Sequence, residues 1–116
     1  MSKKHLFSPE YIKAVVGEFD SECPNSAGPC RNPGVYGVAV FDSRIKGKRR
    51  FIYIGSSRCV IDRIMTPGHP YLRAYSRFSH PYYVSTITIP CNDYLNRERI
   101  LIAHYRPLLN KNCKNG

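Results

Sequence analysis

Residues 34–63 read GVYGVAVFDSRIKGKRRFIYIGSSRCVIDR. Val35 to Phe41 and Phe51 to Ile54 are β-branched and aromatic runs, and the basic segment between them, Ser43 to Arg50 with Gly47 at its tip, returns the chain on itself. The pattern predicts an antiparallel hairpin. Ser56 or Ser57 is then expected to cap a helix with the apolar stripe Val60, Ile61, Ile64 and Met65, and Arg63 flanks that stripe.

Working outward, Ser8-Pro9 reads as a helix start, with Ser as cap and Pro at the first helical position, and Tyr11, Ile12, Val15, Val16 and Phe19 repeat at helical spacing. That helix ends by Asp20, and the proline-rich stretch 21–33 delivers the chain to the first strand. Beyond Arg63, the prolines of TPGHP stop the second helix. A short helix from Tyr71 to Phe78 is expected to turn Leu72, Tyr75 and Phe78 inward and Arg73 with Arg77 outward. Tyr82 to Ile89 is the third strand, and the last helix runs from a cap at Asn92 or Asp93 to Arg106, before Pro107. The fold class expected is α+β, a small three-stranded antiparallel sheet flanked by helices. At 116 residues the chain is one domain, 1–116: an N-terminal helix and loop over 1–33, a core over 34–110 and a basic tail over 111–116.

Eighteen Lys+Arg against eight Asp+Glu give a formal charge of +10, while the 42% apolar content is that of a folded protein. Residues 1–22 do not share the excess, since Lys3, Lys4 and Lys13 face Glu10, Glu18, Asp20 and Glu22. The body of the chain is therefore strongly basic and suited to a polyanion, nucleic acid before all others. No basic amphipathic helix fits an anionic membrane, no run reaches spanning length, and MSKKHLFSPEY lacks the apolar core of a signal peptide. An intracellular protein, cytoplasmic or nucleoid-associated, is expected. Five cysteines without paired close spacing argue against a secreted disulfide framework, and the spacing of Cys23 and Cys30 is wider than that of the usual first two ligands of a structural zinc.

One residue breaks the pattern of the last helix. Placed at 100° intervals, Cys91, Tyr94, Leu95, Leu101, Ile102 and Tyr105 form one face, and Glu98 falls in its middle. A carboxylate there needs a compensating arginine, a metal ion or an open cleft. An internal salt bridge and a functional carboxylate both satisfy that need.

With these residues in hand, the chain resembles the GIY-YIG nuclease superfamily, in the form of a small stand-alone endonuclease of phage or restriction type. Gly34-Val35-Tyr36 resembles the first motif and Tyr53-Ile54-Gly55 the second; Arg63 follows at the usual helical offset, Glu98 opens ERILIAHYRPLLN like the family's glutamate helix, and Asn110 stands for its asparagine. The resemblance implies hydrolysis of DNA phosphodiesters with one Mg²⁺, or Mn²⁺ in its place, held by Glu98. Arg63 would stabilise the charge of the pentacovalent state, and Tyr36 would act as general base, with Tyr53 ordering the water. Gly34, Gly37 and Gly55 would keep the strand surface open to substrate, and Asn110 would orient its neighbours. Where some members carry an additional Lys or His, this chain has Ala39 and Pro67, so His69 and His80 are the candidates for that role. The spacer between the two motifs is longer than in the minimal domain, and its cations Arg44, Lys46, Lys48, Arg49 and Arg50, with Arg73 and Arg77, are expected to lie along DNA phosphates. In a chain this short, specificity is expected to come from loops or from pairing two subunits as a homo-oligomer, so that both strands of a duplex are met. The alternative expectation is a non-catalytic basic nucleic-acid-binding module that retains the fold, and a structured RNA substrate ranks last because no RNA-binding motif is visible.

Overall fold

The computed structural model describes residues 7–21, 31–45 and 49–113, the last three by their backbone alone. Cys23 and Cys30, the hairpin tip Lys46, Gly47 and Lys48, the Cys113 side chain and the end of the basic tail lie outside the described residues. The two apolar runs form β1 (Gly34–Asp42) and β2 (Arg49–Ser57), and Tyr82–Pro90 forms β3. All pairing is antiparallel, in the order β2-β1-β3, so β1 is the central strand. The helices are α1 (Pro9–Ser21), α2 (Val60–Ile64), α3 (Pro70–Arg77) and α4 (Tyr94–Tyr105), followed by a 3-10 turn over Leu108–Cys113. The α+β expectation holds in element order and in sheet type.

Alternation along the central strand divides the protein into three layers. Val35, Ala39 and Phe41 face α1 and α4, where Val15, Phe19, Ile100 and Leu101 complete a core. Tyr36 and Val38 face the other way, toward Val60 and Ile64 of α2 and Ala74 of α3. Phe19 is fully buried, which is worth roughly 1.5–3 kcal/mol, so α1 belongs to the same folding unit as the sheet. Arg97 and Glu18 at 2.8 Å, and the Tyr11 hydroxyl donating to Asp93, join α1 to α4 at the surface.

A bulge decides where the second motif points. Val38 opposes Tyr53, but Ala39 opposes Phe51, leaving Ile52 as the extra residue. Strict alternation would put Phe51 and Tyr53 on one face. The bulge instead lets Phe51 enter the α1/α4 core while Tyr53 joins Tyr36 on the opposite face.

Several local expectations are corrected. Ser56 and Ser57 do not cap α2: they end β2, and Cys59 is the N-cap, without a side-chain cap bond. Tyr75 and Phe78 of α3 are exposed, and Ala74 is the residue that packs. On α4, Leu95 is exposed and Ile100 is buried. These short helices bury one narrow stripe, whose direction is set by the neighbouring layer and not by hydrophobicity alone. Among the described residues, no helix is long and apolar enough to cross a membrane.

Candidate active site

Tyr36 sits at the centre of the α2/α3 face and is fully buried. Its partner across β1–β2 is Gly55, and a Cβ there would lie 2.6 Å from the Tyr36 hydroxyl and 2.8 Å from Cζ. The glycine of the second motif therefore makes room for the tyrosine of the first. A Cβ on Gly37 would meet the Phe19 and Phe51 rings at 2.8 Å, and one on Gly34 would lie 2.7 Å from the Ile89 carbonyl oxygen. These glycines do not hold an open surface for substrate, as the family resemblance implied. The space beside each is filled by the protein itself.

His69, from the TPGHP stretch, closes over the pair. Its Nε2 is 2.7 Å from the Tyr36 hydroxyl oxygen, and its Nδ1 accepts the Tyr71 backbone N–H at 3.0 Å as the N-cap of α3. A backbone amide can only donate, so Nδ1 is bare and the proton of the neutral ring resides on Nε2. His69 therefore donates to Tyr36. The Tyr53 ring meets the His69 ring edge-on at 5.3 Å, and the Tyr36 and Tyr53 ring centres are 6.2 Å apart.

Burial and one cation, Arg63, set the protonation of the pair. Burial holds the His69 pKa down at about 4, helped by the Arg63 guanidinium. Burial also raises the Tyr36 pKa well above the ordinary tyrosine value; the Tyr53 phenol and the Glu98 charge add to that shift, and Arg63 opposes it. Arg63 is exposed, on the short helix α2 that starts two residues after β2.

Glu98 comes from the other layer. It is half-buried, and one carboxylate oxygen accepts the Ser56 hydroxyl at 2.7 Å. Ser56 opposes Val35, so strand alternation turns it toward α4, away from the face that carries Tyr36. Glu98 thus approaches the same end of the hairpin from behind the strand, and its charge is felt at the Tyr36 hydroxyl. Among the described residues, the compensation sought for this carboxylate is a hydroxyl donor. Ser56 is the Glu98 partner the sequence pattern missed; its place directly after Tyr-Ile-Gly was visible, but its direction was not.

Asn110 does orient its neighbours, through the backbone. It is buried, accepts the Ile54 N–H at 2.8 Å and donates to the Ile54 carbonyl at 2.9 Å. β2 is an edge strand, and the Asn110 amide replaces the missing neighbour at the middle residue of the second motif. His80 lies eight residues before Thr88, the β3 partner of Tyr36, at the far end of the sheet. It is not brought to the site, whereas His69 is.

The basic hairpin also lies away from the tyrosines. Phe41 pairs with Arg49, five residues and roughly 17 Å along the strand from Tyr36. Arg44 is held by Asp42 at 2.9 Å through both Nε and Nη2, and Arg49 stacks on Phe51 and pairs with Asp20. Arg50 is exposed. Arg73 and Arg77 are exposed on α3, at the mouth of a cavity of about 320 Å³ shared with Leu108 and Leu109.

Among the described residues there is no group of three His, Cys, Asp or Glu side chains that could hold a metal alone. A single half-exposed carboxylate is nevertheless a fitting donor for a hard cation that takes its remaining ligands from phosphate and water. Comparison with protein-family models, curated proteins and solved structures gives no match.

Proposed function

We propose that this chain is a divalent-metal-dependent DNA endonuclease of the GIY-YIG kind. The observation that carries this reading is the meeting of Tyr36, Tyr53, His69 and Arg63 at one end of the hairpin, within reach of the charge on Glu98. Tyr53, His69 and Arg63, from separate parts of the sequence, gather at the Tyr36 phenol on one face of the sheet, and Glu98 approaches from the other face. The strongly basic composition adds the affinity for a polyanion that such a site needs.

In this mechanism Arg63, the exposed member, binds the scissile phosphate and stabilises the negative charge that develops on it. Tyr36 removes a proton from the attacking water. Its phenolate is opposed by burial and favoured by the Nε2–H of His69 and by Arg63. His69 is a donor in this tautomer, so it stabilises the phenolate and does not receive the proton. Tyr53 fixes the position of the His69 ring by its edge contact. Glu98, with Ser56 holding one oxygen, would hold Mg²⁺ or Mn²⁺, and the ion would supply positive charge to stabilise the leaving oxygen and would offset the carboxylate's effect on Tyr36.

The complete burial of Tyr36 favours a second reading, a nucleic-acid-binding module in which the Tyr36–His69 pair is structural. Incubating supercoiled, linear and branched DNA with the protein in Mg²⁺ or Mn²⁺ separates the two. Cleavage is expected, abolished by Glu98→Ala and reduced about 100-fold or more by Arg63→Ala and by Tyr36→Phe. A wild-type protein that binds DNA but leaves every form intact in both metals overturns the nuclease reading.

A further inference from the structure

The second exposed cationic site lies at the opposite end of the β2–α4 seam from Glu98. Arg49 and Phe51 at the start of β2, Arg50 beside them, Tyr105 and Arg106 at the end of α4, and Asp20 of α1 enclose an open cavity of about 400 Å³. Arg49, Arg50 and Arg106 line it beside a single carboxylate, Asp20. Asp20 is engaged by Arg49 at 3.6 Å and by the Tyr105 hydroxyl at 3.0 Å. Among the described residues, no carboxylate is paired with Arg50 or Arg106. The cavity therefore presents two cations to solvent above an aromatic floor in which Phe51 and Tyr105 meet at 4.8 Å.

Arg106 is also the one non-glycine residue with a left-handed backbone among those described, at φ 49 and ψ 58. This C-cap conformation favours glycine or asparagine, and an arginine tolerates it at a cost. The benefit is directional: the helix ends and its last side chain is turned into the cavity.

We propose that this cavity binds a backbone phosphate of the DNA flank next to the cleaved bond. This inference rests on the nuclease reading and names a second point of contact on the same substrate. Tyr105 follows Glu98 by seven residues, so both lie on one face of α4, about 10 Å apart along its axis. Along β2, Ser56 and Phe51 are separated by roughly 17 Å. At about 3.4 Å of rise per phosphate on each strand, the cavity meets DNA three to five base pairs from the metal-binding carboxylate. Arg50 and Arg106 supply charge-assisted hydrogen bonds to the phosphate, and Arg49 is fixed by Asp20 and the Phe51 ring.

The test compares the Glu98→Gln protein with the same protein carrying Arg50→Ala and Arg106→Gly, using a fluorescent duplex of about 20 base pairs titrated across a salt series. The lost phosphate contact lowers the slope of log K against log salt by about 0.9. In the cleaving background, the same pair of substitutions raises KM with little change in kcat. Arg106→Gly relaxes the left-handed residue, so its melting temperature stays level or rises, which separates lost binding from lost folding. An unchanged salt slope overturns the subsite. Active wild-type protein with an unchanged slope removes only the subsite, whereas inactive wild-type protein with a lowered slope removes the nuclease reading and retains the phosphate contact.

Discussion

His69 makes acid stability a direct probe of the candidate site. Its ring is 3% exposed, its Nδ1 caps α3, and its pKa is held at about 4 against an ordinary 6.5. Protonation must take place at Nδ1, the atom that accepts the Tyr71 amide, so the charged ring loses its cap bond and gains a desolvated charge. The folded pKa lies below the unfolded one, so the unfolded chain binds the proton first and stability falls as pH drops from 6.5 toward 4. The linkage relation gives a loss of about 2 kcal/mol between pH 7 and pH 5, reaching about 3 kcal/mol at pH 4. Urea unfolding followed by far-UV circular dichroism, at half-unit pH steps, measures it. His69→Asn keeps an acceptor for the Tyr71 amide and removes the titrating group, so its stability is expected to be flat between pH 7 and pH 5. A wild type that is itself flat over that range, or an asparagine variant that retains the full slope, refutes the buried neutral His69 and the donor role derived from it.

Gly55→Ala is expected to cost about 1–3 kcal/mol, because the new methyl meets the Tyr36 hydroxyl at 2.6 Å. It also pushes that hydroxyl off His69, so the variant's acid slope is expected to shrink; a variant with unaltered stability and slope contradicts the packing described. Asn110→Ala removes both hydrogen bonds to Ile54 and leaves two edge-strand groups unsatisfied, for an expected loss of about 3 kcal/mol, or roughly 12 °C in Tm. Thermal unfolding that shifts by less than about 3 °C shows that Asn110 is not the clamp of β2.

Much of the fold was legible because it depends on short-range pattern. The Ser8-Pro9 start of α1 is read from two residues, and Ser8 does accept the Tyr11 amide at 3.1 Å. The three strands follow from β-branched and aromatic alternation, although β2 proves longer at both ends, because Arg49, Arg50, Ser56 and Ser57 pair with β1 despite their polarity. The hydrogen-bond ladder, not hydrophobicity, sets strand length.

The site was legible as a set of residues and not as an arrangement. Tyr36, Tyr53, Arg63 and Glu98 are marked by the resemblance, and Glu98 also by its place on an apolar face, but neither says which side of the sheet each reaches. That is decided by one bulge at Ile52, which turns Tyr53 onto the face of Tyr36, and by the docking of α4 behind β2, which brings Glu98 to Ser56. Of the two histidines that sequence order offered equally, only the tertiary fold could choose, since His69 is folded over the tyrosine and His80 sits at the other end of β3. The sequence by itself determined the elements, the basic charge and the chemical inventory, because these depend on residues near one another along the chain. Only the tertiary structure decided the proton's place on His69, the strained turn of Arg106 and the partner of Glu98, because each depends on a contact between layers that no local pattern encodes.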